Sequence, residues 1–363
     1  MATKPPVPPK FVVRTLGALR TSLLRIADRL LPAPLAVAEL GHQFARAHIL
    51  AALWQLKVAD AIGTSPVMPA ELAGRLDCDP DALHRLLRAA ATFGAVRMDS
   101  SGQVSATRLT RSLRSTDVRA AGAWCAYLSS PAHQQAWGDL ATSIRTGEPA
   151  FARVHGQNLF DWFTAHPQEG EQFTQGLAGL TLSDAPFVVA ALNPPQTGVV
   201  CDIAGGRGVL LAAILHQRPG LRAVLVESVD VLREAAVYLE QQGLLDRVEL
   251  VAGDIFAPLT VTADLYLLKW ILHDWDDNTC GALLKGIAAT MPAGARLAVI
   301  EGIQDRNTVD PRFSMIDLEM LMVTDGGRER SAQEFCALIT EAGLTPGPLR
   351  ATASGAAVQF ATA

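Results

Sequence analysis

The 363 residues are 49% hydrophobic and 18% charged, a composition that builds a large apolar core and carries no signature of disorder. Lys and Arg number 31 against 36 Asp and Glu, and the resulting net charge of −5 argues against nucleic acid as a partner. Five scattered cysteines (Cys78, Cys125, Cys201, Cys280, Cys336) with no C-x-x-C pair exclude a disulfide framework or a zinc cluster.

No uninterrupted apolar run reaches the roughly 18 residues of a membrane span, so stable membrane insertion is not expected and a reducing cytoplasm is the default setting. Residues 1–37 form an N-terminal extension. After Pro5, Pro6, Pro8 and Pro9, residues 11–31 space Leu16, Leu19, Leu23, Ile26 and Leu30 helically, with Arg14, Arg20, Arg25 and Arg29 between them. Such a helix serves at a membrane surface or packs in a dimer with its basic face solvated.

Residues 38–62 predict one long helix. Leu40, Phe44, Ile49, Leu50, Leu53, Trp54, Leu56 and Val58 give it more apolar surface than one small domain buries, which predicts a homodimer. Gly63-Thr64-Ser65-Pro66 ends it. Two further helices cover 68–76 and 79–93; Asp79-Pro80-Asp81 starts the second with a cap, a proline at the first position and an acid in the first turn. Alternation over 96–106 around Ser100-Ser101-Gly102 predicts a hairpin. Three helices and a hairpin describe a winged helix over 38–115. Its third helix offers His84, Arg85 and Arg88 beside Asp81, too few cations for a phosphate backbone, so a dimerisation role fits better than DNA binding.

Residues 116–190 read as a helical linker rich in aromatics. Phe151, Trp162 and Phe173 are candidates to line an apolar pocket for a flat small molecule, although the same residues also suit a core. Over 191–363 short β-rich runs (199–203, 223–227, 248–252, 265–268, 297–301) alternate with helical ones (209–217, 231–242, 280–290). That order predicts a doubly wound, Rossmann-like α/β domain with a parallel sheet.

The first of these strands runs into Asp202-Ile203-Ala204-Gly205-Gly206-Arg207-Gly208, a glycine loop before a helix. Glu227 ends the second strand, and Asp254 and Ile255 follow the third. Ligands of such sheets bind beyond the carboxyl ends of the strands, where these acids converge. A dinucleotide fingerprint lacks its last glycine here, and a phosphate loop lacks its Gly-Lys-Ser/Thr. Asp202 would repel a pyrophosphate and suit a cation. S-adenosylmethionine carries an ammonium and a sulfonium and no phosphate, so the acid-rich rim favours it, with Gly205, Gly206, Gly208 and Glu227 as further contacts and Glu227 on the ribose.

The fourth strand leads into Leu268-Lys269-Trp270-Ile271-Leu272-His273-Asp274-Trp275. Together with the glycine loop, Gly253-Asp254-Ile255-Phe256 and Gly326-Gly327-Arg328-Glu329-Arg330-Ser331, this stretch resembles the S-adenosylmethionine-dependent small-molecule O-methyltransferases that carry a winged-helix dimerisation domain, both plant caffeate-type and bacterial polyketide-tailoring enzymes. The likeness covers roughly residues 38–350. It implies that His273 is the general base, with Glu301 and Glu329 as the acids beside it and Lys269 and Asp274 on the cofactor side. A histidine titrates close to the pH at which a phenol, with a pKa of about 10, needs help to lose its proton. An acid on the far ring N–H would fix the tautomer.

The resemblance also places Met315, Met322 and Thr324 toward the acceptor, although core packing explains each methionine equally well. Thr324 stands where the family often has asparagine, which implies an altered acceptor. Ala204 replaces a loop glycine and is expected at negative φ; Ser228-Val229 replaces Leu-Pro after the ribose acid. The reaction expected is O-methylation of an aromatic or polyketide-like small-molecule acceptor, without a metal. C- or N-methylation, a derived reaction on the same fold, and a winged-helix regulator remain as other readings.

Overall fold

The computed structural model describes residues 10–117, 119, 121–305, 307 and 309–363. Two compact units emerge: Ala18–Gln134 with Phe163–Leu180, and Gln135–Trp162 with Thr181–Ala363 and the described part of Met1–Gly17.

In the first unit, helices Pro69–Leu76 and Pro80–Ala91 precede an antiparallel hairpin of β1 (Val96–Met98) and β2 (Val104–Ala106). Asp79 caps the second helix by accepting the Ala82 N–H at 2.8 Å. The long helix expected over 38–62 is instead three: Ala33–His42, Phe44–Gln55 and Val58–Ile62. The last break falls at Lys57, whose φ of +55° is left-handed. That turn re-aims the chain so that Val58, Ala59 and Ile62 join Leu53 in one core with Leu72, Leu83 and Leu87, a gain that a straight helix with a single apolar stripe could not make. Leu40 and Phe44 stay 51% and 65% exposed.

The second unit holds a seven-stranded sheet in the order β5-β4-β3-β6-β7-β9-β8. The strands are β3 (Thr197–Ile203), β4 (Gly220–Glu227), β5 (Val248–Ala252), β6 (Leu265–Lys269), β7 (Arg296–Glu301), β8 (Thr345–Ala351) and β9 (Ala357–Thr362). β3 through β7 run parallel, and β9 pairs antiparallel to β7. Both faces are covered, so the strands are apolar on both sides. Leu265 and Leu267 enter one core while Tyr266 and Leu268 enter the other. The order reverses between β3 and β6, and the carboxyl ends of the strands at such a reversal are where these sheets bind ligands. All five cysteines are free thiols.

Candidate active site

Asp202 lies one residue before the end of β3 and is 1% exposed. Burial raises its carboxyl to about 7, against the pull of Lys269, and Glu227 raises it further; its Oδ1 is buried with no hydrogen-bond partner. The loop that follows is built around this group. A Cβ on Gly205 would sit 2.5 Å from the Asp202 carboxyl carbon, so only glycine fits. Ala204 adopts φ +54°, not the negative φ expected of an alanine. It is held there because its N–H reaches Val226 O of the neighbouring strand at 2.9 Å, and left-handed backbone costs an L-residue roughly 1–2 kcal/mol.

Glu227 is the last residue of β4 and takes the backbone N–H groups of Ser228 and Gly206; burial still moves its pKa upward. Asp254 lies two residues beyond β5, exposed, with Oδ1 accepting the Phe256 N–H at 2.9 Å. Lys269 ends β6 nearly buried. Its Nζ donates to Thr181 Oγ1 at 3.1 Å and pairs with Asp184 Oδ2 at 3.5 Å. Burial lowers the Lys269 pKa, against the opposing pull of Asp184, Asp202 and Glu301.

Immediately after Lys269 the chain turns sharply. Trp270 has φ +57°, a costly conformation for a bulky residue. Two clamps hold the turn. Glu301 Oε1, at the end of β7, accepts the N–H groups of Ile271 and Leu272 at 3.0 and 2.9 Å. The fully buried Arg330 guanidinium donates to Leu272 O and Trp275 O, both at 2.6 Å, and to Asp277 Oδ1 at 2.8 Å.

His273 sits in the 3₁₀ turn between the clamps, 8% exposed. Its Nδ1 lies 2.9 Å from Glu329 Oε1, and its Nε2 lies 3.5 Å from Asp274 Oδ1. Burial alone would lower its pKa; Asp274, Glu301 and Glu329 outweigh burial and raise it to about 9. Burial likewise raises Glu301 to about 7 and Asp274 to about 6 despite the nearby imidazole. For the two carboxyls lost hydration outweighs the pull of the imidazole, whereas for the imidazole the three acids outweigh it.

The structure gathers His273, Glu329, Glu301, Asp274, Lys269 and Asp202 around the ends of β3, β6 and β7. Asp274, expected on the cofactor side, presents its carboxylate to the imidazole. Phe151 and Trp162 meet edge to face at 5.9 Å. Phe173 belongs to the other compact unit, where it packs on Trp124, Tyr127 and Phe163. Met322 is fully buried on the helix Phe313–Val323 and Met315 is 58% exposed. The Thr324 hydroxyl donates to Met320 O at 2.7 Å and accepts the Gly327 N–H at 3.1 Å, so it is engaged in ending that helix. Trp270 and Arg330 stand inside motifs of the sequence without a role being legible there, and Thr181 and Asp184 stand in none. Thr181 and Asp184 lie far from any glycine loop or strand end, and only folding brings the helix Pro167–Leu192 to Lys269.

Two family models match the chain. The O-methyltransferase domain family matches residues 137–345 and the O-methyltransferase dimerisation domain matches residues 38–116. The chain is 38% identical to O-demethylpuromycin-O-methyltransferase of Streptomyces alboniger over 296 residues, 80% of this chain and 78% of that one. The solved structure of the mitomycin 7-O-methyltransferase MmcR superposes with a TM-score of 0.83 at 31% identity, covering 94% of this chain and all of that one. CalO1, a methyltransferase of calicheamicin biosynthesis solved with S-adenosylhomocysteine bound, gives 0.78 at 29% identity over 91% and 98%.

Proposed function

The chain belongs to the O-methyltransferase family, as an S-adenosylmethionine-dependent methyltransferase, and on that premise we propose that it methylates a hydroxyl of an aromatic or polyketide-like small molecule with His273 as general base. The residues fit the methyl donor on their own terms. Asp202 Oδ1 and Asp184 Oδ1 are buried acceptors without partners, and a cation satisfies both. Glu227 at the end of β4 would take the ribose hydroxyls, with Asp254 and Ile255 beside the adenine; Gly205 and Gly208 let the loop pack on Asp202, Leu225 and Leu239, and a Cβ on Gly206 would meet nothing within 4 Å, which leaves its backbone open to the donor. Bound there, S-adenosylmethionine supplies a methyl group activated by its sulfonium.

The observation that carries the base assignment is the 2.9 Å contact between His273 Nδ1 and Glu329 Oε1. A carboxylate on Nδ1 holds the proton there and leaves Nε2 as the basic atom. The acids around it raise the imidazole's pKa to about 9, so it is mostly the cation at neutral pH, and its neutral form is the one that takes a phenolic proton. Asp274, 3.5 Å from Nε2, would stabilise the imidazolium after transfer. Glu301 and Arg330 keep the ring in place through the backbone on either side.

The face bearing Leu40 and Phe44 is assigned to a second copy, since it leaves large apolar side chains in water and lies in or beside the matched dimerisation domain. Methyl transfer from S-adenosylmethionine to a panel of phenols, followed by mass spectrometry, tests the reading. Products methylated on oxygen are expected; products methylated only on nitrogen or carbon, or none from any phenol, would overturn it.

A further inference from the structure

Glu329 meets His273 with one oxygen only. Its Oε1 lies 2.9 Å from the imidazole Nδ1, and its Oε2 is buried without a hydrogen-bond partner. The carboxylate therefore takes its direction from the backbone that carries it and from what it packs on. The packing leaves it little freedom. Gly302, directly after β7, lacks a side chain where a Cβ would sit 2.5 Å from Glu329 Oε2 and equally close to the Phe313 ring. A shift of the Glu329 backbone cannot be absorbed by swinging the side chain into that space.

The backbone itself is held by the helix Phe313–Val323. Asp317, one turn after Phe313, accepts the Glu329 N–H on Oδ1 at 2.8 Å. Thr324, at the end of the helix, accepts the Gly327 N–H at 3.1 Å. Phe313, Asp317 and Thr324 are four and seven residues apart, a spacing that puts them on one face. Arg328 and Arg330, on either side of Glu329, reach away to Asp277. Asp317 thus grips the loop at the residue whose side chain meets the histidine. The N–H of a buried residue needs an acceptor, and a charged acceptor holds it firmly. Glu301 does the same for the backbone before His273, so each member of the pair has its main chain fixed by a carboxylate from another element.

We infer that Asp317 is a positioning residue for methyl transfer: by fixing the Glu329 backbone it aims that carboxylate at His273 Nδ1 and leaves Nε2 as the basic atom. This rests on the reading of His273 as the base. Asp317 acts through Glu329 and has no contact with the ring.

NMR of histidine-labelled protein tests the placement without turnover, with the His273 signals identified by their loss in His273→Ala. The wild type should show a downfield Nδ1–H proton and a pKa of about 9. Asp317→Ala should weaken that proton signal and lower the pKa by about one unit, as the carboxylate loosens. Its single-turnover rate at pH 9 should fall on the order of tenfold, with donor affinity unchanged. Asp317→Asn keeps an acceptor oxygen and should stay near the wild type in both measurements. On a Glu329→Ala background, Asp317→Ala should cost no further rate. Three results overturn the inference: an Asp317→Ala protein that melts earlier but keeps the His273 signals and the rate; an Asp317→Asn protein as impaired as Asp317→Ala; or a full further loss on the Glu329→Ala background. If Asp317→Ala does not fold, Gly302→Ala crowds the same carboxylate from the other side and should disturb the same signals, and unchanged signals there refute a tight seat for Glu329. A wild-type rate from His273→Ala would instead remove the base reading and leave the NMR result on Asp317 standing.

Discussion

Glu301 Oε1 accepts the N–H of Leu272 at 2.9 Å, so the acid at the end of β7 grips the backbone beneath His273 and leaves the ring to Glu329. Its effect on the imidazole is electrostatic. Two substitutions separate the two tasks. Glu301→Gln keeps an oxygen for both amides and removes the charge. Its stability should stay near that of the wild type, and the pH at which activity rises should move down, because one of the groups that raise the His273 pKa is gone. Glu301→Ala strands two buried N–H groups and should cost about 2–5 kcal/mol of stability. Denaturant unfolding and pH–rate profiles of the two variants check this; an unshifted profile in Glu301→Gln would refute the electrostatic part.

Four buried groups make stability depend on pH in one direction. The folded protein holds Asp202 and Glu301 near 7, Asp274 near 6 and His273 near 9. All four lie above their unfolded values, so the folded state binds more protons than the unfolded state, and stability falls as pH rises. The His273 contribution is fully present below about 6.5 and lost by about 9; the carboxyl contributions run down from about 4 to about 7. The melting temperature without ligand should drop by on the order of 5–10 °C between pH 6 and 9. Scanning calorimetry in matched buffers would count against this if it found a flat or rising trend.

Ala204 should become more comfortable as glycine. At φ +54° alanine carries roughly 1–2 kcal/mol of backbone strain, part of which glycine returns as unfolded-state entropy. Ala204→Gly is therefore expected to stabilise by about 0.5–1 kcal/mol, and a destabilised variant in urea titration would show that the alanine methyl packs usefully.

This loop also marks how far the sequence is readable. The strand ends with Asp202, Glu227 and Lys269, and the order of strands and helices around them, follow from local pattern: periodicity two or 3.6, glycines, and acids at fixed offsets. The break at Lys57 and the left-handed Ala204 and Trp270 do not, because each is a locally unfavourable conformation imposed by packing or by hydrogen bonds from distant residues. The partners of Lys269 on the helix Pro167–Leu192 are 88 and 85 residues away in sequence, and no spacing rule reaches that distance.

Glu227 stands at the end of β4 with the Gly206 and Ser228 N–H groups already on its carboxylate. A ribose diol would complete its coordination. Glu227→Ala should weaken S-adenosylmethionine binding about tenfold to a hundredfold, the loss of one or two hydrogen bonds to a charged acceptor. Calorimetric titration measures it directly; wild-type affinity in the variant would remove Glu227 from the ribose.

The final expectation concerns His273 itself. The ring is fixed from three sides: Glu329 on Nδ1, Glu301 on the amides before it, and Arg330 on the carbonyls around it. His273→Ala removes the ring and leaves both backbone clamps, so S-adenosylmethionine binding should be nearly unchanged. Methyl transfer should fall by about 10²–10⁴, the range for loss of a general base. In the wild type, activity should climb with pH toward 9, as the imidazole loses the proton that blocks Nε2. In the variant that climb should instead follow ionisation of the acceptor, so a more acidic phenol should shift it to lower pH and raise the residual rate. Glu329→Gln should give a smaller loss, because it keeps a hydrogen-bond partner for Nδ1 without the charge that favours the imidazolium. Single-turnover assays across pH, with two phenols of different acidity, decide the matter. Wild-type rates from His273→Ala near neutral pH would mean that holding the acceptor oxygen against the methyl donor is sufficient, and the base would have to be struck from the mechanism.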